Sequence, residues 1–518
     1  MAKERQRWGT RMGVILAVAG SAIGLGNFLR FPVQAAKNGG GAFMIPYFIA
    51  LLLLGIPLMW VEWTAGRYGG GFEHSSAPGI FQSLWKKNRF IKYFGIVGIF
   101  GPFLIFMYYC YIESWCLAYA FYSITGQLSG IASSQGFMSF LTNYQGLSNP
   151  GFFVGTLPGF IFFLITFCMN IYVIRFGIRG GIEKLCNIAL PLLLIFGVIL
   201  MIRVLTLSAP DPTHPDWNSI NGLGFLWNPD FSALKSARVW LAAAGQIFFT
   251  LSLGMGVILT YSSYLRKEDD VALSGLAASS TNEFAEVILG GSIVIPAAFI
   301  FFGPQQIFDI ANSGSFNLGF VTMPQIFSKV PIGAIFGFLW FGMLFLAGIT
   351  SSISIAQPSV AFLEDEFNVS RKRAVWVFAI AAFILCQPAI WFLHRGVLDD
   401  LDFWGGNFII VLGAAFEIIL LAWVFGIDKT WDEMHLGAKM RIPRIFRFVI
   451  KYITPTFILA ILIYWFATDW WPVITMKGVD SANVPYILLT RLVLALLLVV
   501  IAVLIWWAWR KRKMAEYY

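Results

Sequence analysis

Gly20-Ser21-Ala22-Ile23-Gly24-Leu25-Gly26-Asn27 is the stretch whose reading decides the fold. It lies inside an apolar run from about Gly13 to Ala36, long enough to cross a bilayer, for which about 20 residues suffice. Each of its glycines weakens a helix by about 1 kcal/mol relative to alanine. A membrane helix that gives up internal hydrogen bonds must satisfy the freed groups elsewhere, because lipid offers no partners. The run therefore reads either as a helix broken here, with open backbone facing a ligand or ion, or as a helix whose glycines permit close packing.

The surrounding composition is that of an integral membrane protein. Of 518 residues, 58% are hydrophobic and 12% charged, about half the charged fraction of a soluble domain. Apolar segments of spanning length recur to the end, at about 12–36, 43–70, 90–124, 155–174, 181–205, 238–264, 270–302, 333–363, 373–393, 403–425, 446–467 and 484–509. These twelve segments predict an all-α membrane protein. The short alternating segments of an outer-membrane barrel are missing. The first span continues too far for the hydrophobic region of a cleavable signal peptide.

A net charge of +9 invites a nucleic-acid reading, but topology explains where the positives lie. Basic residues gather at the N-terminus, at 86–89, 175–184, 266–267, 371–373, 439–447 and 510–513. The alternate loops are poor in Lys and Arg, so both termini are expected to be cytoplasmic. The external loop 206–236 has the Pro, Asp, Asn and Gly content of irregular structure. The five cysteines lie in or beside apolar spans without zinc spacing and read as buried small hydrophobes. The four histidines pair with no nucleophile, and neither GxSxG nor a phosphate-binding loop occurs, so no enzyme constellation is present.

Span six repeats the peculiarity of span one. Gly245-Gln-Ile-Phe-Phe-Thr250-Leu-Ser-Leu-Gly254-Met-Gly256 sets small and polar residues in the middle of an apolar run. Interrupted spans at corresponding places suggest that spans 1–5 and 6–10 form an inverted repeat with a binding site between the breaks. Span seven adds Asn282, Glu283 and Glu286, although a charge at bilayer depth costs at least about 2.5–3.5 kcal/mol. In span eight, Ala347, Thr350 and Ser351 share one face, an oxygen cluster suited to a hard monovalent cation or to helix-helix hydrogen bonding.

The motifs GLGNFLRFPVQAAKNGGGAFMIPY, GIPLMWVEW, YIESW, GQIFFTLSLG, NEFAEVILGG, GITSSIS, FLEDEF and DFWGG fall in order across nearly the whole chain. They resemble the neurotransmitter:sodium symporters, and within them the bacterial leucine-transporter (LeuT) type. The resemblance implies a LeuT-type 5+5 inverted repeat with broken helices one and six, followed by two extra C-terminal helices. On that plan, 1–10 is a cytoplasmic gate segment, 11–205 the first repeat, 206–236 an extracellular loop, 237–425 the second repeat, and 426–518 the remainder.

The resemblance also implies two sodium ions and an amino-acid substrate. Sodium 1 would be held by Ala22, Asn27, Thr250 and Asn282, and sodium 2 by Gly20, Ile23, Ala347, Thr350 and Ser351. The substrate carboxylate would meet Leu25, Gly26 and Tyr109, and its ammonium Ala22, Phe249, Thr250 and Ser252. The side-chain pocket would be lined by Ser21, Ile105, Tyr109, Phe249, Ser252, Met255, Ser351 and Ile355. That lining carries no charge, so a charged substrate side chain would be buried unpaired, and a neutral hydrophobic amino acid is expected. Ser21, Ile105 and Met255 depart from the Asn, Val and Phe of the leucine-transporter type, which leaves leucine, alanine, methionine or an aromatic side chain open.

Gating follows from the same resemblance. Tyr109 and Phe249 would form the lid, with Arg30 and Asp402 as the outer ion pair. Arg5 and Asp365 would close the cytoplasmic side, with Trp8, Ser263 and Tyr264 around them. Glu286 would supply a charge that chloride supplies in other members, predicting chloride independence. The expected function is sodium-coupled symport of neutral hydrophobic amino acids by alternating access in a prokaryotic inner membrane. The alternative is a binding or sensing protein of the same fold without productive transport. A homodimer is left open, and nucleic acid is not expected as a partner.

Overall fold

The computed structural model describes residues 6–131, 133–148 and 155–515. Among them the chain is helical throughout, with one isolated bridge between Gly40 and Pro229 in place of any sheet. Ten helices are long and apolar enough to cross a membrane, and a pair bent by 48°, Arg11–Ala22 with Leu25–Lys37, makes an eleventh. A second pair, Ala237–Thr250 and Val257–Ser263, stands where the sequence places span six. The expected count of twelve thus depends on counting this pair as one span, and the sequence numbering is kept on that basis.

Two expectations change. The loop 206–236, expected to be external, is not wholly irregular, because Asn218 caps a helix over Ser219–Trp227, its side chain accepting from the Asn221 amide at 3.0 Å. Cys110, Cys116, Cys186 and Cys386 are buried, but Cys168 is exposed on span four, where an outward-facing thiol costs nothing in an apolar surround.

The centre of the molecule is built from spans one, three, six and eight. Span three (Ile91–Ile124) is buried along nearly its whole length and packs against span eight (Gly333–Phe367). Span four (Leu157–Arg175), span five (Ile178–Leu205) and the last span (Val484–Lys511) present mostly outward faces of Ile, Leu and Val. This is the reverse of a soluble bundle: the polar and glycine-rich helices lie inside and the uniformly apolar ones outside.

Candidate functional site: two broken helices and the oxygens between them

The break in span one begins with diverted donors. In an unbroken helix the amides of Gly24 and Leu25 would close on the carbonyls of Gly20 and Ser21. Here Gly24 N–H donates to Asn27 Oδ1 at 2.9 Å, and Leu25 N–H donates to the Tyr109 hydroxyl at 3.3 Å. Two carbonyls are released from the ladder. The Ser21 carbonyl accepts from Ser351 Oγ and from Ser252 Oγ, each at 3.1 Å, so spans six and eight meet span one at one oxygen. Gly24 cannot be larger without movement, since a Cβ there would stand 3.0 Å from Tyr109 Oη and 3.1 Å from Ser351 Oγ.

Span six breaks in another way. Six residues, Leu251 to Gly256, separate its helices, and Ser252, Gly254 and Gly256 have φ of 54°, 72° and 73°. A Cβ on Gly254 would lie 1.9 Å from the Ile410 carbonyl oxygen, so this backbone rests directly on span ten. Gly254 N–H, whose helical partner would be the Thr250 carbonyl, donates instead to Glu62 Oε1 of span two at 2.8 Å. The Thr250 carbonyl is thereby freed to face span seven.

The released oxygens converge with amides. One end of the Asn282 side-chain amide lies 3.2 Å from the Ala22 carbonyl oxygen and 3.3 Å from that of Thr250. Asn27 Nδ2 stands 2.9 Å from the same amide, 3.2 Å from Thr250 Oγ1 and 2.9 Å from Glu286 Oε2. All four residues expected at sodium 1 therefore meet. Turned with its oxygen inward, Asn282 adds a third oxygen to two carbonyls, a donor set that attracts a monovalent cation.

Glu286 lies behind this cluster and is fully buried. Its carboxylate receives Asn27 Nδ2, the Thr250 hydroxyl, Gln246 Nε2 at 3.0 Å and the Tyr47 hydroxyl at 3.0 Å. Tyr47 also faces Glu283 Oε2 at 2.8 Å. Gln246 and Tyr47 were not singled out in the sequence. The signal was there for Gln246, which sits four residues before Thr250 and so shares its helix face.

Gly20, Thr350 and Ser351, expected at sodium 2, are also brought together. A Cβ on Gly20 would lie 3.2 Å from Thr350 Cβ, and Ser351 Oγ is 3.4 Å from the Gly20 carbonyl oxygen. Thr350 Oγ1 donates back to the carbonyls of Leu346 and Ala347 at 3.0 and 3.2 Å, which leaves its lone pairs for another partner. Ile23 lies fully buried at the break, its N–H still closing on the Ala19 carbonyl at 2.7 Å. Of the expected pocket lining, Ile105, Ser252, Met255, Ser351 and Ile355 are all buried, and Ser21 Oγ is buried without a hydrogen-bond partner among the described residues.

The outer gate is assembled differently from the simple ion pair expected. Arg30 and Asp402 line one cavity of about 150 Å³ together with Gly26, Tyr108, Tyr109 and Phe249. Asp402 Oδ1 accepts from the Tyr108 hydroxyl at 2.7 Å, whereas Arg30 reaches Asn407 Oδ1 at 3.4 Å. The Arg30 guanidinium carbon stands 4.3 Å from the centre of the Phe249 ring, which itself covers Gly26. The two charges thus share a cavity while other groups hold each of them.

At the gate expected on the cytoplasmic side, Arg5 lies outside the described residues, so its pairing with Asp365 does too. Trp8 is buried, with Nε1 donating to the Tyr261 carbonyl at 2.8 Å and the two rings meeting edge to face at 5.3 Å. Glu183, which the sequence did not flag, accepts from Gly9 N–H at 2.7 Å and from Thr10 N–H at 3.0 Å. It pins the segment just before span one. Ser263 is buried, and Tyr264 accepts from Gln357 Nε2 at 3.0 Å; both border an inner cavity of about 620 Å³.

Several known proteins are similar to this chain. The model of the sodium:neurotransmitter symporter family matches residues 5–140 and 146–511. An uncharacterised sodium-dependent transporter of Methanocaldococcus jannaschii is 32% identical over 505 residues, 97% of each chain. One of Haemophilus influenzae is 30% identical over 477 residues, 89% of this chain and 98% of its own. The crystal structure of MhsT in complex with L-phenylalanine superposes with a TM-score of 0.75 at 30% identity, covering 89% of this chain and 99% of that one.

Fold and relatives together define a sodium-dependent membrane transporter of the LeuT-type fold, not an enzyme. The chain belongs to the sodium:neurotransmitter symporter family.

Proposed function

We infer that this protein is a symporter that carries a neutral hydrophobic amino acid into the cell with sodium, by alternating access. The observation that carries the reading is the set of carbonyls released at the two breaks. Amide donors of Gly24, Leu25 and Gly254 are drawn off by Asn27, Tyr109 and Glu62, and the acceptors they leave face a common centre. Opposed half-helices then offer amides to the substrate carboxylate and carbonyls to its ammonium and to sodium.

The same reading assigns the site roles. Ala22, Asn27, Thr250 and Asn282 hold one sodium; Gly20, Ile23, Ala347, Thr350 and Ser351 hold a second, tying the broken helix to span eight. The substrate lies between Tyr109 and Phe249, with Ser21, Ile105, Met255 and Ile355 against its side chain. That MhsT, a structural neighbour, was crystallised with L-phenylalanine supports a large apolar substrate. Glu286 gives the first site a fixed negative charge, so chloride is not required. The chain has ten spans in two repeats, 11–205 and 237–425, and two more spans after them, with both termini cytoplasmic in a prokaryotic inner membrane.

Sodium-dependent binding to the purified protein, competed by each amino acid in turn, tests the reading. Competition by leucine, methionine, phenylalanine or alanine but not by lysine or glutamate is expected. Equal competition by charged amino acids would refute the apolar pocket.

A further inference from the structure

Span ten carries a second buried carboxyl that the sodium and substrate sites do not use. Glu417 is fully buried, and among the described residues neither of its oxygens has a hydrogen-bond donor. Its neighbour is Glu62 of span two, also fully buried and within hydrogen-bonding reach of it. Glu62 Oε1 is the oxygen that takes Gly254 N–H, while Oε2 has no donor. Spans two, six and ten bring no third ionisable group to either carboxyl among the described residues. Arg67, lower on span two, is engaged by Glu433 at 3.1 Å.

Two carboxylates in contact inside a membrane, with no cation and no donor between them, cannot both stay ionised, because mutual repulsion adds to desolvation. A single proton removes both costs, giving one carboxyl a donor and the other an acceptor. We propose that Glu62 and Glu417 form a proton-binding site, which holds one proton between them when Gly254 N–H is docked on Glu62.

The site acts on the first sodium site through the backbone. With one proton bound, the pair keeps an anionic oxygen for Gly254 N–H, and the Thr250 carbonyl stays free to face Asn282. A second proton neutralises that acceptor and weakens its hold on the unwound stretch. Span ten transmits the effect at short range: Gly413, one turn before Glu417, would place a Cβ 2.1 Å from the Gly254 carbonyl oxygen. Acid should therefore oppose sodium binding, and movement of the stretch should draw in a proton.

Infrared spectroscopy of the membrane-reconstituted full chain tests the occupancy without any substrate. Subtracting Glu62→Gln/Glu417→Gln from the unaltered protein at neutral pH should leave one protonated-carboxyl band, sensitive to deuterium exchange, and one carboxylate band. Two carboxylate bands would mean a bound cation or solvation instead and overturn the proposal; two protonated-carboxyl bands would overturn the shared proton. If the double variant does not fold, Glu417→Gln alone serves, because its amide N–H keeps the bridge. It should lose the protonated band and keep the carboxylate band, and the opposite loss overturns the assignment.

The link to sodium rests on the transport reading and is measured separately, as sodium-dependent amino-acid binding from neutral to acid pH. Glu62→Gln, whose amide oxygen acid cannot neutralise, should keep a level affinity from neutral to acid pH over a range in which the unaltered protein loses tenfold. Parallel loss in both refutes the link, whereas no sodium-dependent binding in either at any pH refutes the transport reading itself.

Discussion

The two breaks face the same centre but are constructed on different principles. Span one is interrupted by Ile23 and Gly24 only, with ordinary φ values of −75° and −114°. Its freed groups are taken by side chains: Asn27, Tyr109, Ser252 and Ser351. Span six is interrupted over six residues, three of them left-handed, and its backbone is pressed against backbone of spans three and ten at Gly98 and Ile410. Side chains can rotate and exchange partners, whereas backbone packed on backbone cannot. The first break is thus the adjustable half of the site and the second its anchored half.

Substitutions at matched glycines can break that contrast. Gly254→Ala adds a Cβ 1.9 Å from a carbonyl oxygen at φ 72°. Left-handed strain of about 1–2 kcal/mol and overpacking of about 1–3 kcal/mol should together cost the protein most of its folded yield. Thermal unfolding in detergent reads this, and a melting temperature equal to that of the unaltered protein would contradict the anchored reading. Gly24→Ala meets only the ends of Tyr109 and Ser351 at an allowed φ. It should fold normally yet weaken sodium-dependent substrate binding at least about tenfold, or about 1.4 kcal/mol. Normal binding would show that the span-one break is not part of the site.

Smaller effects sharpen the picture. Thr350→Val combined with Ser351→Ala should raise the sodium concentration for half-maximal binding about tenfold while leaving the melting temperature nearly unchanged. An unaltered sodium requirement would remove span eight from the ion site. On the proposed role of Glu286 as the charge beside the first sodium, exchanging chloride for a large organic anion should change uptake by less than about twofold. Clear stimulation by chloride would reverse that assignment. Ser21→Ala is the mildest: its Oγ has no partner, so it should only reorder preference among neutral amino acids, by roughly tenfold or less.

How far the sequence could be read follows the same division. Both breaks were legible, because glycines and polar residues weaken a long apolar helix and have little reason to cluster in one that stays closed. Asn27, Thr250, Asn282 and Glu286 were legible as a set through helical spacing and family resemblance. Partners reaching across from distant spans were not. Tyr108, not Arg30, supplies the hydrogen bond to Asp402, and Glu183, which the sequence did not flag, ties down the segment just before span one. A Tyr or Glu in an apolar span carries no mark of which neighbour it meets. The length of span six as two short pieces was equally hidden, since hydropathy reports the apolar total and not where the backbone turns.

The central claim is that the oxygens released at the two breaks couple an amino acid to sodium, and uptake into proteoliposomes tests it most directly. With labelled leucine, methionine, phenylalanine and alanine outside, an inward sodium gradient should drive accumulation of at least one of them above equilibrium, and collapsing the gradient should abolish it. Accumulation of none of these under a sodium gradient, by protein that still binds them in a sodium-dependent way, would contradict the account and leave a binding protein in its place.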